Sequence, residues 1–182
     1  MKKVVSGLFI SLDGVTEAPD QWQFDHFDAE MEQSMAKFIN DTDTVLMGRV
    51  TYQEWAGYWP TATHEPFASF INNVPKYVVS TTLNSVEWKN STLLKGPLVQ
   101  DIQRLKQGPG SKDITVTGSP GLVYSLLQAD LLDELTLTIH PVVAGKGKRL
   151  FKDNSALKRM KLTQCLTTST GVLIATYQPR AV

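Results

Sequence analysis

The sequence predicts an α/β fold of three layers: a mixed, mostly parallel central sheet, helices on both faces and a C-terminal antiparallel hairpin. Three observations predict it. Apolar runs of strand length alternate with segments of helical period over the first three quarters of the chain. Glycines or hydroxyl residues punctuate the ends of several of those runs. The last two strand-like runs, in "MKLTQCLTTSTGVLIATYQP", meet around Thr170-Gly171 with no helix between them. No repeat, low-complexity tract or linker interrupts the pattern, so residues 1–182 read as one domain.

Taken in order, "VVSGLFISL" (Val4 to Leu12) reads as a strand buried on both faces and closed by the turn pair Asp13-Gly14. An irregular segment rich in acids and aromatics, "TEAPDQWQFDHF", follows. Asp28 is placed to cap a helix from Ala29 to about Asn40, in which Met31, Met35, Phe38 and Ile39 form one apolar face. "TVLMG" is a strand and "TYQEWAGYW" a helix that Pro60 ends. "PFASFINNV" is a further helical piece before the strand "KYVVST", and "STLLK" is a short strand. "LVQDIQRLKQ" has helical spacing and stops at "GPGS". "DITVTG" is a strand, "PGLVYSLLQADLL" a helix, and "DELTLTIHPVV" a strand broken at Pro141. "AGKGKRLF" is a solvated loop with left-handed glycines, anchored by Leu150 and Phe151.

Composition removes several classes of function. Eighteen basic and eighteen acidic residues cancel, which argues against a general nucleic-acid binder. Cys165 is the single cysteine, so neither a disulfide framework nor a cysteine-rich metal site is expected. His26, His64 and His140 are far apart with no acids at ligand spacing, and no metal is predicted; His140, before Pro141 at a strand break, reads as structural. The apolar part of "MKKVVSGLFISLDGV" is broken by Ser6, Gly7, Ser11 and Asp13, so it reads as a first strand rather than a leader. No apolar run is long enough to span a membrane, and a cytoplasmic location is expected.

Three strand ends carry the functional pattern. "VLMGR" closes with Gly48-Arg49 and enters a helix at Thr51; "YVVSTT" closes with Ser80-Thr81; "ITVTGSPG" closes with Gly118, Ser119, Pro120 and Gly121 and enters a helix at about Leu122. In open α/β sheets ligands bind beyond the carboxyl ends of the strands. Glycines admit a close backbone approach, a helix N-terminus offers free N–H groups to an anion, and Arg49 adds a charge-assisted donor. Each end alone also fits an ordinary turn. Together they point to a phosphorylated ligand of dinucleotide type, although neither G-x-G-x-x-G nor a P-loop is present.

"VLMGRVTYQEW" resembles the strand–Gly-Arg–helix element of dihydrofolate reductases. "DITVTGSPGLVYSLLQADLLDELTLTIHPVVAGKGKRLF" closely resembles the matching half of the bacterial dihydrofolate-reductase-like family that includes the reductase domain of riboflavin biosynthesis. "FISLDGV" is similar to that family's first-strand motif. The resemblance spans essentially the whole chain and implies NADPH as cofactor and hydride transfer as chemistry. It implies that Gly48, Arg49 and Thr51 contact the cofactor phosphates, that Ser80 and Thr81 sit by the 2′-phosphate, and that Gly118, Ser119, Gly121 and Leu122 sit by the pyrophosphate. Phe9, Ile10 and Thr16 would lie beside the nicotinamide through main-chain contacts. Pro120 departs from the Gly-Gly of dihydrofolate reductases and removes one N–H donor. A homodimer is expected by analogy only.

On the substrate side, dihydrofolate reductases use a carboxylate on the first helix. Glu30 shares a solvated stripe with Ser34, Lys37 and Asp41, whereas Glu32 borders the apolar face and lies near the family's acid position. Glu32 is therefore either a partly desolvated proton donor or substrate anchor, or a surface glutamate. Trp22 and Phe24 either stack on a flat heterocycle or cap the core, and Trp55 packs its helix while facing the pocket. The reading is an NADPH-dependent reductase of a small heteroaromatic or carbonyl-type substrate, pterin- or pyrimidine-like rings included. The alternatives are a non-catalytic nucleotide-binding or sensor protein of the same fold, and a structural subunit.

Overall fold

The computed structural model describes residues 1–153 and 155–180. One eight-stranded sheet takes strands from both ends of the chain: β1 (Val4–Ser11), β2 (Thr42–Gly48), β3 (Lys76–Val79), β4 (Ser91–Leu94), β5 (Asp113–Thr117), β6 (Glu134–His140), β7 (Met160–Thr167) and β8 (Leu173–Pro179), in the spatial order β4-β3-β2-β5-β1-β6-β8-β7. Pairing is parallel from β4 through β6, and β8 and β7 close the sheet antiparallel. The helices are α1 (Ala29–Asp41), α2 (Arg49–Tyr58), α3 (Phe67–Asn73), α4 (Leu98–Gln107) and α5 (Pro120–Gln128).

Alternate residues of the central strands serve opposite faces, as the period of two requires. Leu46 joins Leu8, Ile10, Ile114 and Val116 in a core under Ile102 of α4 and Val123, Leu126 and Leu127 of α5. Its neighbours Val45 and Met47 turn the other way, to Tyr52 of α2 and Ile71 of α3. Met31 of α1 packs on the same side against Phe9, Val172 and Ile174. A fully buried aliphatic side chain contributes about 1.5–3 kcal/mol, so these two faces supply most of the adhesion between layers. The chain moves one way from β1 to β2 and the other way from β5 to β6, so the order reverses between the neighbours β5 and β1.

Element boundaries differ from the sequence expectation where backbone geometry intervenes. The second helix starts at Arg49 rather than Thr51, with Gly48 in extended geometry as its N-cap. The fifth stops at Gln128 because Asp130 takes a positive φ of 56° and the Leu131 amide returns to Leu126 O. β1 is not buried throughout, since Gly7 in its middle is exposed. Leu150 is buried, but Phe151 is exposed, so only the first of the two anchors its loop.

That loop is tied to the end of β1 by the Ser-Leu-Asp-Gly motif. The Asp13 carboxylate accepts from Ser11 Oγ at 2.6 Å and from the Ala144 and Gly145 amides at 2.9 Å each. The Ser11 hydroxyl first, then the Ala144 amide, hold the Asp13 pKa down at about 2. Gly147, at φ 120°, runs so close to Val15 that a Cβ would lie 2.6 Å from Cγ1. The motif is a latch that brings the Ala144–Arg149 loop to the strand ends.

Candidate active site

The parallel order β3-β2-β5 puts the three expected strand ends side by side on one rim. Gly48 pairs with Val79, next to Ser80. Across the other gap a hydroxyl chain joins β2 to β5: the Gly48 amide donates to Ser119 Oγ (2.8 Å), Ser119 Oγ to Thr51 Oγ1 (2.8 Å), and Thr51 Oγ1 to Gly118 O (3.1 Å). Thr51 and Ser119 are both buried. Their hydroxyls hold the rim together and have no spare proton to offer a ligand. Gly118, at φ 61°, lies under Trp55: a Cβ there would be 3.1 Å from Thr51 Cγ2 and 3.2 Å from Trp55 Cζ2.

Gly48, the N-cap of α2, has no side chain, and Ser119, the N-cap of α5, is committed in this way, so neither helix has a side-chain cap and the first-turn amides of both are left for an outside partner. At Gly121 a Cβ would meet nothing within 4 Å, so the first turn of α5 is open to close approach. Arg49 is exposed, donates to Gln53 Oε1 at 2.8 Å and makes no ion pair among the described residues. Two uncapped helix N-termini and an uncommitted guanidinium on one rim suit an anion with more than one phosphate. Ser80 is buried and its Oγ accepts from the Thr82 and Leu83 amides, both at 3.1 Å, while Thr81 is exposed beside it.

The floor of the cleft is β1. Its last pair with β5 is Gly7↔Thr117, but it stays paired with β6 as far as Ser11↔His140. The Leu12 amide reaches Val142 O on the β6 side and the Lys3 carbonyl accepts from Ile114 on the β5 side. By alternation the Phe9 amide and carbonyl face the gap beyond β5. Ile10 turns its side chain into the core beneath α5. Thr16 is buried and held by its amide to Lys148 O at 3.0 Å. A Cβ on Gly7 would meet nothing within 4 Å, and the buried Thr117 Oγ1 has no hydrogen-bond partner among the described residues. This is an open trough in the middle of the sheet, at the reversal of strand order.

Helix α1 overlies this side of the sheet, and its N-terminus is pinned to the β7–β8 turn. Asp28 caps it through Met31 N (3.0 Å) and accepts from Thr170 N (3.0 Å) and Thr170 Oγ1 (2.8 Å); Ser169 Oγ donates to Glu30 Oε2 at 3.1 Å. Glu30 thus marks the flank facing the hairpin. Glu32 lies about 200° further round the helix, away from that flank, and it is exposed rather than partly desolvated.

The segment before α1 folds back over the ends of β1 and β6. His140 is fully buried, and its ring meets Phe9 (5.4 Å), Trp22 (5.2 Å) and His26 (5.8 Å) edge-on. Trp22 is half-buried here, whereas Phe24 is 66% exposed and contributes no cap to the core. Burial, and then His26, push the His140 pKa down to about 4, so the ring is neutral at physiological pH. Sequence reasoning set His140 aside and did not single out Gly7, Thr117 or Gln23. A glycine amid a strand was the available signal for the trough. Two surface depressions of about 450 and 510 Å³ lie at the opposite end of the strands, by Met160 and Arg180 at the start of β7 and by Met1 and Lys106 at the start of β1. They have no relation to this rim.

Residues 2–174 match the RibD C-terminal domain family model. The chain belongs to the RibD C-terminal domain family. It is 29% identical to the Bacillus subtilis protein YyaP over 97% of this chain and 94% of that one. Among solved structures, a Shewanella sp. PV-4 protein described as a candidate for riboflavin biosynthesis superposes with a TM-score of 0.79 at 21% identity, covering 98% of this chain and 99% of that one. Dihydrofolate reductase from Enterococcus faecalis, in complex with NADP(H), superposes with a TM-score of 0.63 at 12% identity, covering 98% and 97%. The RibD C-terminal domain fold is thus dihydrofolate-reductase-like, as the motifs led us to expect. The family places the chain among reductase-like proteins, and the described residues include no helix long and apolar enough to cross a membrane.

Proposed function

We propose that this chain is an NADPH-dependent reductase that transfers a hydride to a small heteroaromatic or carbonyl-type substrate. The observation that carries the proposal is the pair of uncapped helix N-termini, α2 and α5, on one rim beside Arg49, whose guanidinium makes no ion pair among the described residues. In this reading the amides of Gly121 and Leu122 and the Arg49 guanidinium hold the bridging phosphates, and Gly48 and Gly118 admit them. Ser80 and Thr81, one strand over, would receive a 2′-phosphate. NADPH would supply the hydride from its nicotinamide C4. The main chain at Phe9 would hold the nicotinamide ring above the Gly7 trough, with Ile10 and Thr16 shaping its edge. Trp55 would cover Gly118 and exclude water. Glu32 would offer a carboxylate to the substrate from the open flank of α1.

The same reading makes the protein a cytoplasmic enzyme of small molecules. The homodimer expectation finds support in β7, whose residues from Lys161 to Thr167 are exposed along an unpaired sheet edge. Titration with NADPH, followed by quenching of tryptophan fluorescence, tests the cofactor. NADPH oxidation with pterins, pyrimidines and quinones tests the chemistry. Tight cofactor binding with no turnover across such a panel would favour a sensor, and no nucleotide binding at all would remove both readings.

A further inference from the structure

Gly7 is exposed although its strand β1 lies inside the sheet, paired with Thr117 on one side and Thr136 on the other. Only a gap in the layer above leaves such a residue open to solvent. That gap is the trough on the α1 and α2 side, because Leu8, Ile10 and Val116 take the opposite face, under α4 and α5. Thr117 faces the same way as Gly7 by alternation from Val116; it is buried, and its Oγ1 has no partner among the described residues. The α2 wall of the trough is aromatic. Trp55 lies over Gly118, and its ring meets Trp59 at 5.8 Å and Phe67 of α3 at 5.9 Å, all three half-buried.

Charge around this trough has one sign. Residues 16–36 carry six acids and residues 50–75 carry two, Glu54 and Glu65; neither segment contains a lysine or an arginine, in a chain whose acids and bases cancel. Of these carboxylates only Glu17 is in an ion pair among the described residues, with Lys148. Glu54 stands close enough to act on the same ammonium: Glu17 first, with Glu54 adding to it, holds the Lys148 pKa up against desolvation. Asp20, Asp25, Glu32 and Glu54 are exposed. Arg149 is taken by Asp13, which leaves Lys146 as the cation of its loop with no carboxylate partner among the described residues.

We infer that the trough takes a flat aromatic substrate that is neutral or cationic, and excludes rings that carry a phosphate or a carboxylate. This rests on the reductase reading for the ligand's being a substrate, although the charge selection itself does not. Aromatic side chains attract flat rings and cations. A cleft lined by charge of one sign focuses its field on whatever enters, and a like charge brought against it loses affinity. The polar anchor on the floor, the Thr117 hydroxyl, is neutral and able both to donate and to accept. The phosphates of a dinucleotide on the neighbouring rim would deepen the negative field.

The test uses two pairs of rings whose members differ in one anionic group: riboflavin against its 5′-phosphate, and pterin against pterin-6-carboxylate. Binding is measured on protein saturated with NADP⁺, and again on Arg49→Ala without nucleotide, so that the rim cation does not capture the phosphate. The uncharged member of each pair should bind at least about tenfold more tightly at low salt, and the ratio should shrink as salt rises. Glu32→Gln combined with Glu54→Gln, both at exposed positions, should narrow it as well. Gly7→Val, which fills the floor where a Cβ meets nothing within 4 Å, should weaken both members of each pair and so locate them in the trough. Equal or tighter binding of the anionic members, a ratio indifferent to salt and to both carboxylates, uptake unaltered by Gly7→Val, or no binding of either neutral ring at about 1 mM would each overturn the inference. NADP⁺ titration judges the reductase reading separately: if nucleotide fails to bind, that reading falls, while the charge preference is still decided in Arg49→Ala.

Discussion

Ser119 Oγ accepts the Gly48 amide at 2.8 Å and so stitches the end of β2 to the start of α5. One side chain thereby joins two adjacent strand ends and, by being occupied there, leaves the first turn of α5 without a cap. Ser119→Ala removes this acceptor and also the donor to Thr51 Oγ1. We expect a loss of about 1–3 kcal/mol in urea unfolding, because a buried amide and hydroxyl lose their partners. Weaker NADPH binding should accompany it. A variant as stable as wild type would show that the chain of hydroxyls is not what holds the rim.

Arg49 gives the opposite separation. Its guanidinium touches only Gln53 among the described residues and contributes to no core. Arg49→Ala should leave unfolding free energy within about 0.5 kcal/mol. Its NADPH affinity should fall by about 1.5–3 kcal/mol, the weight of a charge-assisted hydrogen bond. The loss should shrink as salt rises, since the guanidinium is exposed. Unchanged affinity at low salt would remove Arg49 from the site.

Glu32 is exposed on the open flank of α1, so Glu32→Gln should fold with an unaltered melting temperature. If the carboxylate takes part in proton transfer, turnover on a reducible ring should drop by about 10²–10⁴-fold, with NADPH affinity untouched. A drop confined to KM would make Glu32 a substrate anchor only. No effect on either constant would return it to the surface.

Asp28 links the helix that carries Glu32 to the β7–β8 turn. Burial works to raise its pKa, but the Thr170 and Thr168 hydroxyls and the Met31 and Thr170 amides outweigh it and hold the carboxyl far below the usual range. A folded pKa below the unfolded value of about 3.9 means that Asp28 stabilises the fold above that pH. The contribution is lost as pH falls through the folded value. Asp28→Asn should therefore lower the melting temperature at pH 7, with the deficit narrowing below pH about 4. A deficit that is constant across that window would mean that the carboxylate charge is not the source.

The sequence by itself determined the sheet and most of its helices. Alternating apolar runs, the Asp28 cap, Pro60 and the Thr170-Gly171 turn act over a few residues, and such local preferences survive into the fold. It also located the rim, because Gly48-Arg49 and Gly118-Ser119 lie at strand ends wherever those strands are placed. Strand order and direction, which depend on packing across the whole chain, decided that the three ends are neighbours. Tertiary contact also decided the fate of each polar side chain. The Ser119 and Thr51 hydroxyls brace the rim, Glu32, read either as partly desolvated or as a surface glutamate, is exposed, and His140, read as structural, is buried with neither ring nitrogen partnered among the described residues. A residue type states which hydrogen bonds a side chain is able to make; only the assembled neighbours determine which of them are already made.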